Sequence, residues 1–156
     1  MLAQGAHLLI EKPVTNTLAE GLELLEVARA QKAVVQVGHV ERFNPAFDAV
    51  QSHVAAPRYI EATRTSGYTF RSTDIGVVHD VMIHDIDLVL DLVGRPIVDL
   101  DAVGVPVLGD NEDIANARLV FEGGCVANVT ASRISMKSER TLRLFQKSGY
   151  GRVDFI

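Results

Sequence analysis

Cysteine is nearly missing from this chain: Cys125 is the only one in 156 residues. That excludes an internal disulfide framework and a zinc site built on thiolates. Basic residues are in the minority, with 15 Lys and Arg against 20 Asp and Glu. The formal net charge of -5 and the lack of a Lys/Arg cluster argue against a nucleic-acid-binding surface. No apolar run approaches the ~20 residues that span a bilayer, so no membrane partner is expected. Met1 to Ile10 has neither a basic n-region nor a cleavage site, which excludes a secretory signal there and makes the cytoplasm the expected location. Internal repeats and low-complexity segments are lacking as well. What is present, 47% hydrophobic and 22% charged residues, is the composition of a globular protein able to bury a core. The length allows one domain, or one domain plus a piece of another.

The chain is organised around Gly76 to Gly94, GVVHDVMIHDIDLVLDLVG, which reads as one helix. Val78, Val81, Met82, Leu88, Val89 and Leu92 recur at helical spacing, and Gly94 with Pro96 supplies the stop. His79, Asp80, His84, Asp85 and Asp87 crowd its first half. Asp80 and His84 are four apart and therefore share a face, roughly 40° apart around the axis. A carboxylate one turn before a histidine orients the ring and raises its basicity, which suits proton transfer near neutral pH.

Upstream, Ala6 to Ile10 reads as a buried strand stopped by Pro13, which leaves Glu11 and Lys12 at its C-terminal end, where open α/β sheets collect ligands. Thr17 and Glu20 form a capping-box pattern ahead of a helix over 18–31, with Leu18, Leu22, Leu25 and Ala28 on its apolar side. Ala33 to Val37 is a second strand, completing a βαβ unit with parallel strands. Asn44 and Pro45 open a further helix that Pro57 breaks. The pattern then changes. Arg58 to Thr65 alternates as a strand, and 66–75 is a polar loop leading into the central helix. Beyond Gly94, Val98 to Val107 is a strand candidate. Glu122-Gly123-Gly124 turns one hairpin, and 147–151 turns a second between 141–146 and 152–156. The expected fold class is α+β: a βαβ unit, then a run of largely antiparallel strands with the central helix packed on the sheet, the pattern changing near residues 38–45.

EKP after the first strand (Glu11, Lys12, Pro13), GHxxRFxP after the second (Gly38 to Pro45), and DxxxHDxD on the helix (Asp80 to Asp87) resemble, in order and register, the Gfo/Idh/MocA family of nicotinamide-dependent oxidoreductases. The resemblance covers nearly the whole chain, the FEGG hairpin included. GHVERFNPA, VMIHDIDLVLDLV and TASRISMKSERTLRLFQKSGY look closest to members acting on UDP-N-acetylglucosamine at the sugar 3-position. The resemblance implies that Lys12 contacts the nicotinamide end and the substrate hydroxyl, and that Glu11 and Pro13 shape that pocket. It places His39 and Arg42 in the loop that approaches the cofactor. Asp80 and His84 match the family pair in which the histidine takes the hydroxyl proton. It also implies NAD or NADP in the full-length protein, a sugar or nucleotide-sugar substrate, and homo-oligomers formed through the sheet face. The chemistry is coherent with this: oxidising a secondary alcohol needs a hydride acceptor, a base for the O–H proton and a cation beside the developing alkoxide.

One departure stands against these matches. No G-x-G-x-x-G occurs anywhere in the chain, although a family member carries it in the first βα turn to cradle the pyrophosphate. The resemblance then implies a fragment: residues 1–40 the C-terminal remnant of a dinucleotide-binding Rossmann domain and 41–156 a truncated substrate and oligomerisation domain with an open sheet, binding dinucleotide weakly or not at all alone and showing no hydride transfer.

Other readings remain open at this level. A sheet domain mediating self-association without catalysis is one alternative. A metal-dependent enzyme using His79, His84 and Asp87 is another, although the five-residue step between the histidines is poorer than the i,i+4 spacing of helical zinc motifs. Asp85 reads as a solvated or capping carboxylate, and Asp87 as a residue holding backbone or ring in place. Tyr68, Phe70 and Arg71 line a candidate substrate pocket. Cys125 reads as small core filler. Arg133, Lys137, Arg140, Arg143 and Lys147 form either a solvated edge or a face for an anionic diphosphate.

Overall fold

The fold is described from a computed structural model, which covers residues 1–70 and 74–156. They divide into two compact units, Met1–Val40 and Glu41–Ile156.

The first unit is a βαβ arrangement. Strand β1 (Leu8–Ile10) pairs in parallel with β2 (Val35–Val37), and helix α1 (Leu18–Ala30) connects them. The capping box forms in full: the Thr17 hydroxyl accepts from the Glu20 N–H at 3.3 Å, and the Glu20 carboxylate accepts from the Thr17 N–H at 3.0 Å. Lys32, at φ 50°, turns the chain out of the helix toward β2. Of the apolar stripe on α1, only Ala28 is buried; Leu18, at 78% exposure, faces solvent, as does Leu9 of β1 at 74%. The apolar pattern marks the stripe correctly, but two short strands and one helix offer too little surface to cover it.

The second unit holds the main core. Helix α2 (Pro45–Gln51) begins at Asn44, whose side chain accepts from the Ala46 N–H, and it buries Phe47. Six strands follow: β3 (Pro57–Thr65), β4 (Ile97–Val105), β5 (Ile114–Phe121), β6 (Val126–Ser132), β7 (Glu139–Gln146) and β8 (Gly149–Asp154). They form one sheet in the order β4-β5-β6-β3-β7-β8, antiparallel throughout except for the β3–β6 pair, which is parallel. The α+β class expected from sequence is what the structure has. The β7–β8 turn is tighter than expected, with Gln146 opposite Gly149. Strand β4 runs through Gly104 and stops before Pro106.

One face of the sheet carries Ile60, Ala62, Ala127, Val129, Ala131, Leu142 and Leu144, all buried. The alanines let helix α3 (Ile83–Val93) approach closely with Leu88 and Val89. The other face is polar along one row, where Asn128 donates to the Tyr59 hydroxyl at 2.7 Å and Arg143 pairs with Glu61 at 2.9 Å. The next row is aromatic: Tyr59, Phe145 and Tyr150 stand with centroids 5.9 and 4.9 Å apart. Among the described residues, no helix is long and apolar enough to cross a membrane.

Candidate active site

The central segment is not one uniform helix. Val78–Met82 is a π-helical turn, closed by the Ile83 N–H donating to the Val78 carbonyl, and α3 follows from Ile83. A π-turn inserts a residue relative to α-helical register and is frequent at functional sites. Glu112 caps it. Its carbonyl accepts from the Val77 N–H at 2.9 Å and its carboxylate from the Val78 N–H at 3.2 Å. Gly76 is needed for this approach, because a Cβ there would run into the Glu112 carboxylate. Asp80 and His84 lie half-buried on either side of the π-to-α change, and the Nδ1 atom of His84 is buried. His79 is exposed. Among the described residues, no group of three or more His, Cys, Asp or Glu side chains could hold a metal ion, His79, His84 and Asp87 included.

The carboxylates that follow His84 are committed to arginines. Asp85 is 1% exposed, contrary to its reading as a solvated or capping carboxylate. Arg64 of β3 grips it with two hydrogen bonds of 3.0 and 2.9 Å, and donates a third to Glu41 at 2.8 Å. Phe155 lies against the Arg64 guanidinium, 5.5 Å from ring centroid to carbon. Burial pushes the Asp85 carboxyl above its ordinary range, opposed by the Arg64 hydrogen bonds. Burial lowers the Arg64 pKa, but Asp85 and Glu41 more than offset this and leave it raised. Asp87 accepts from Arg42 at 2.7 and 2.8 Å, and Asp91 accepts from Arg42 at 2.7 Å and from Gln51 at 2.6 Å. Arg42, whose expected role was at the cofactor, thus has its guanidinium held by α3. The hydrogen bond to Asp87 is the main reason its pKa is raised. Neither Arg64 nor Glu41 stood out as functional in the sequence, although Arg64 falls in the apolar phase of its strand with Ile60 and Ala62.

In the first unit, Glu11, Lys12 and Pro13 leave the C-terminal end of β1, with the Lys12–Pro13 peptide bond cis. Gly38 and His39 leave the same end of β2. The Gly38 N–H donates to the Ile10 carbonyl at 2.7 Å, and the Glu11 carboxylate packs against Gly38, about 3.0 Å from where a Cβ would stand. Lys12 is half-buried, and the Nδ1 atom of His39 is buried. The structure therefore gathers Glu11, Lys12, Pro13 and His39 at one end of one small parallel sheet, where ligands collect in such sheets.

The remaining expectations divide. Tyr68 and Phe70 form a T-shaped pair 5.2 Å apart, with Phe70 91% exposed; Arg71 lies outside the described residues. The basic run does not form one face. Arg133 is buried, donating to Asp113 at 2.7 Å and to the Ile75 carbonyl at 2.7 Å. Arg140 and Arg143 are an odd number of residues apart on β7 and so face opposite sides of the sheet. Asp113 also accepts from the Leu108 and Val107 N–H groups, and these bonds together with Arg133 hold its pKa down to about 2. Cys125 is buried, which raises its thiol pKa, as befits core filler.

Comparison with known proteins adds three findings. Residues 1–39 match the oxidoreductase family with an NAD-binding Rossmann fold, and residues 46–150 match the GFO/IDH/MocA C-terminal domain. A UDP-N-acetylglucosamine 3-dehydrogenase from Acidithiobacillus ferrooxidans is 42% identical over 153 residues, covering 97% of this chain and 49% of the relative. Its solved structure superposes with a TM-score of 0.88 over 96% of this chain and 50% of that one. A scyllo-inositol 2-dehydrogenase (NAD(+)) from Bacillus subtilis is 27% identical over 146 residues, covering 84% of this chain and 43% of the relative. The chain spans about half the length of the curated relatives it matches.

Proposed function

Because this chain belongs to the Gfo/Idh/MocA oxidoreductase family, we propose that it forms the substrate-binding half of an NAD-dependent dehydrogenase acting on a secondary hydroxyl of a nucleotide sugar, with UDP-N-acetylglucosamine as the candidate substrate. The observation that carries the reading is the acid–imidazole pair Asp80 and His84, half-buried across a capped π-turn. The choice of a nucleotide sugar over an inositol rests on the higher identity to the first relative.

The roles follow from the chemistry. His84 accepts the hydroxyl proton, and Asp80 steadies the imidazolium that results. Lys12, at the C-terminal end of β1, offers a cation at the nicotinamide end of the cofactor site. A bound nicotinamide supplies the hydride acceptor. The donor set of Glu11, Lys12 and His39 fits the nicotinamide end of a dinucleotide, with Pro13 shaping the pocket. The sequence holds no glycine-rich turn for the pyrophosphate. On this reading, residues 1–40 are the last part of a Rossmann domain and residues 41–156 the substrate and oligomerisation domain. On the same reading, the chain alone is expected to give no turnover with NAD and UDP-N-acetylglucosamine.

The test is a chimera: this chain replaces the matching stretch of the Acidithiobacillus enzyme, and NADH formation is followed with UDP-N-acetylglucosamine and with scyllo-inositol. The reading expects turnover of the nucleotide sugar, cut by ~100-fold or more in His84→Ala and Lys12→Ala. Turnover of the inositol alone, or a His84→Ala chimera of undiminished rate, contradicts it.

A second reading, self-association through the outer sheet face, is favoured by the partly exposed row of Tyr59, Phe145 and Tyr150. It is compatible with the first. A Phe145→Glu variant that sediments like the unmodified chain would count against it.

A further inference from the structure

We infer that Arg64 is a positioning residue for His84: its guanidinium ties Asp85, the next residue along α3, to Glu41, and so fixes the turn of helix from which the imidazole projects. The inference rests on the assignment of His84 as the base.

Arg64 stands where its strand would otherwise be apolar. Ile60 and Ala62 precede it on the same face of β3 and are fully buried, and Arg64 itself is 5% exposed. A guanidinium taken out of water is costly, and well-packed apolar side chains of similar volume are often at least as stabilising as a buried ion pair. Core stability alone therefore does not account for the residue. Geometry does. Its bidentate hold on Asp85 fixes that side chain in distance and in plane, as a point charge could not. Its third bond anchors Glu41 in the 3-10 turn Val40–Phe43, and Arg42 of the same turn reaches back to Asp87 and Asp91. Two neighbouring residues of one turn are thus clasped to three carboxylates on α3, and the nearest of these adjoins His84.

The clasp matters because of what lies upstream. The π-turn at Val78–Met82 holds one residue more than α-helical register needs. Letting that residue out would turn the segment upstream of the π-turn by roughly 100° relative to α3 and change the angle at which Asp80, four residues before His84, meets the ring. Glu112 pins the upstream end of the π-turn, and the Arg64–Asp85 pair pins the downstream end. Between these two anchors the relation of Asp80 to His84 is set.

The test uses the chain as it stands, with histidine labelled in 15N, in wild type, Arg64→Lys and Arg64→Gln. Ring nitrogen shifts are read at about pH 8, where imidazoles are neutral and the shifts report the tautomer. Five histidines are present, so His7 and His53 serve as internal controls for the fold. The expected result is a changed tautomer population at His84 in Arg64→Gln, with partial return toward wild type in Arg64→Lys and unchanged His7 and His53 signals. Wild-type His84 signals in both folded variants overturn the inference. So does a common shift of all the histidines, which is what general loss of fold support produces. Should Arg64→Gln fail to fold, Arg64→Lys alone decides, because its shorter amine cannot keep the bidentate grip and must still move His84. The base assignment fails separately: a His84 signal that moves while the His84→Ala chimera keeps its turnover removes the base and leaves the positioning of the ring.

Discussion

Replacing Arg64 by Leu should be among the most damaging single substitutions in the second unit. Asp85 is 1% exposed and sits at hydrogen-bond distance from two guanidinium nitrogens; Glu41 shares a third. Removing one partner of such a pair leaves an uncompensated buried charge, which costs ~3–5 kcal/mol. That is a large part of the ~5–15 kcal/mol that holds a typical domain folded. The double variant Arg64→Leu/Asp85→Leu removes both charges and should recover most of the loss. The pH dependence has a definite sign. With Arg64 gone, desolvation and the nearby Glu41 act on Asp85 against Arg140 alone, and its folded pKa rises further above the unfolded value. A carboxyl whose folded pKa is raised favours the folded state at low pH and loses that contribution as pH rises, so the single variant should be less handicapped at about pH 5 than at about pH 7. Urea unfolding followed by far-UV circular dichroism, with an unchanged denaturant slope, measures each difference. A single variant within ~1 kcal/mol of wild type, or a double variant worse than the single, refutes the reasoning.

Gly76→Ala places a methyl group against the Glu112 carboxylate and should cost ~1–3 kcal/mol; adding Glu112→Ala relieves the overlap, so in urea unfolding the double variant should be less destabilised than the sum of the singles. Asp113, held down to about 2 by the Leu108 N–H, Arg133 and the Val107 N–H, contributes stability that is whole above its unfolded value of about 3.9 and is lost as pH falls toward about 2. Thermal melts across that window should show a steeper acid loss in wild type than in Asp113→Asn.

What the sequence made legible was local. Thr17 and Glu20 close their capping box because both partners lie within one turn, and Asn44-Pro45 starts α2 for the same reason. The alternation of β3 and the FEGG hairpin follow from a period of two and a turn signal. The motifs EKP, GHxxRFxP and DxxxHDxD located the residues that now stand at the strand ends and on the central helix.

What it left hidden was set by distant contacts. Apolar spacing showed which side of α1 is greasy, not what covers it. The π-turn is invisible to a helical count, because DxxxH reads identically on either register; only the Ile83-to-Val78 hydrogen bond distinguishes them. Asp85 looked solvated because its partner is 21 residues away on strand β3, and Arg42 looked free to meet a cofactor because Asp87 is 45 residues away. Two signals were nonetheless present. An arginine in the apolar phase of β3 announces a buried partner. The three-residue step from Arg140 to Arg143 on a strand announces opposite faces.

The central claim is that His84 is the base of a nucleotide-sugar dehydrogenase, and turnover in the chimera tests it most directly. The account expects NADH formation from UDP-N-acetylglucosamine that falls ~100-fold or more in His84→Ala while NAD binding is retained. A His84→Ala chimera that oxidises the nucleotide sugar at the parent rate would contradict it.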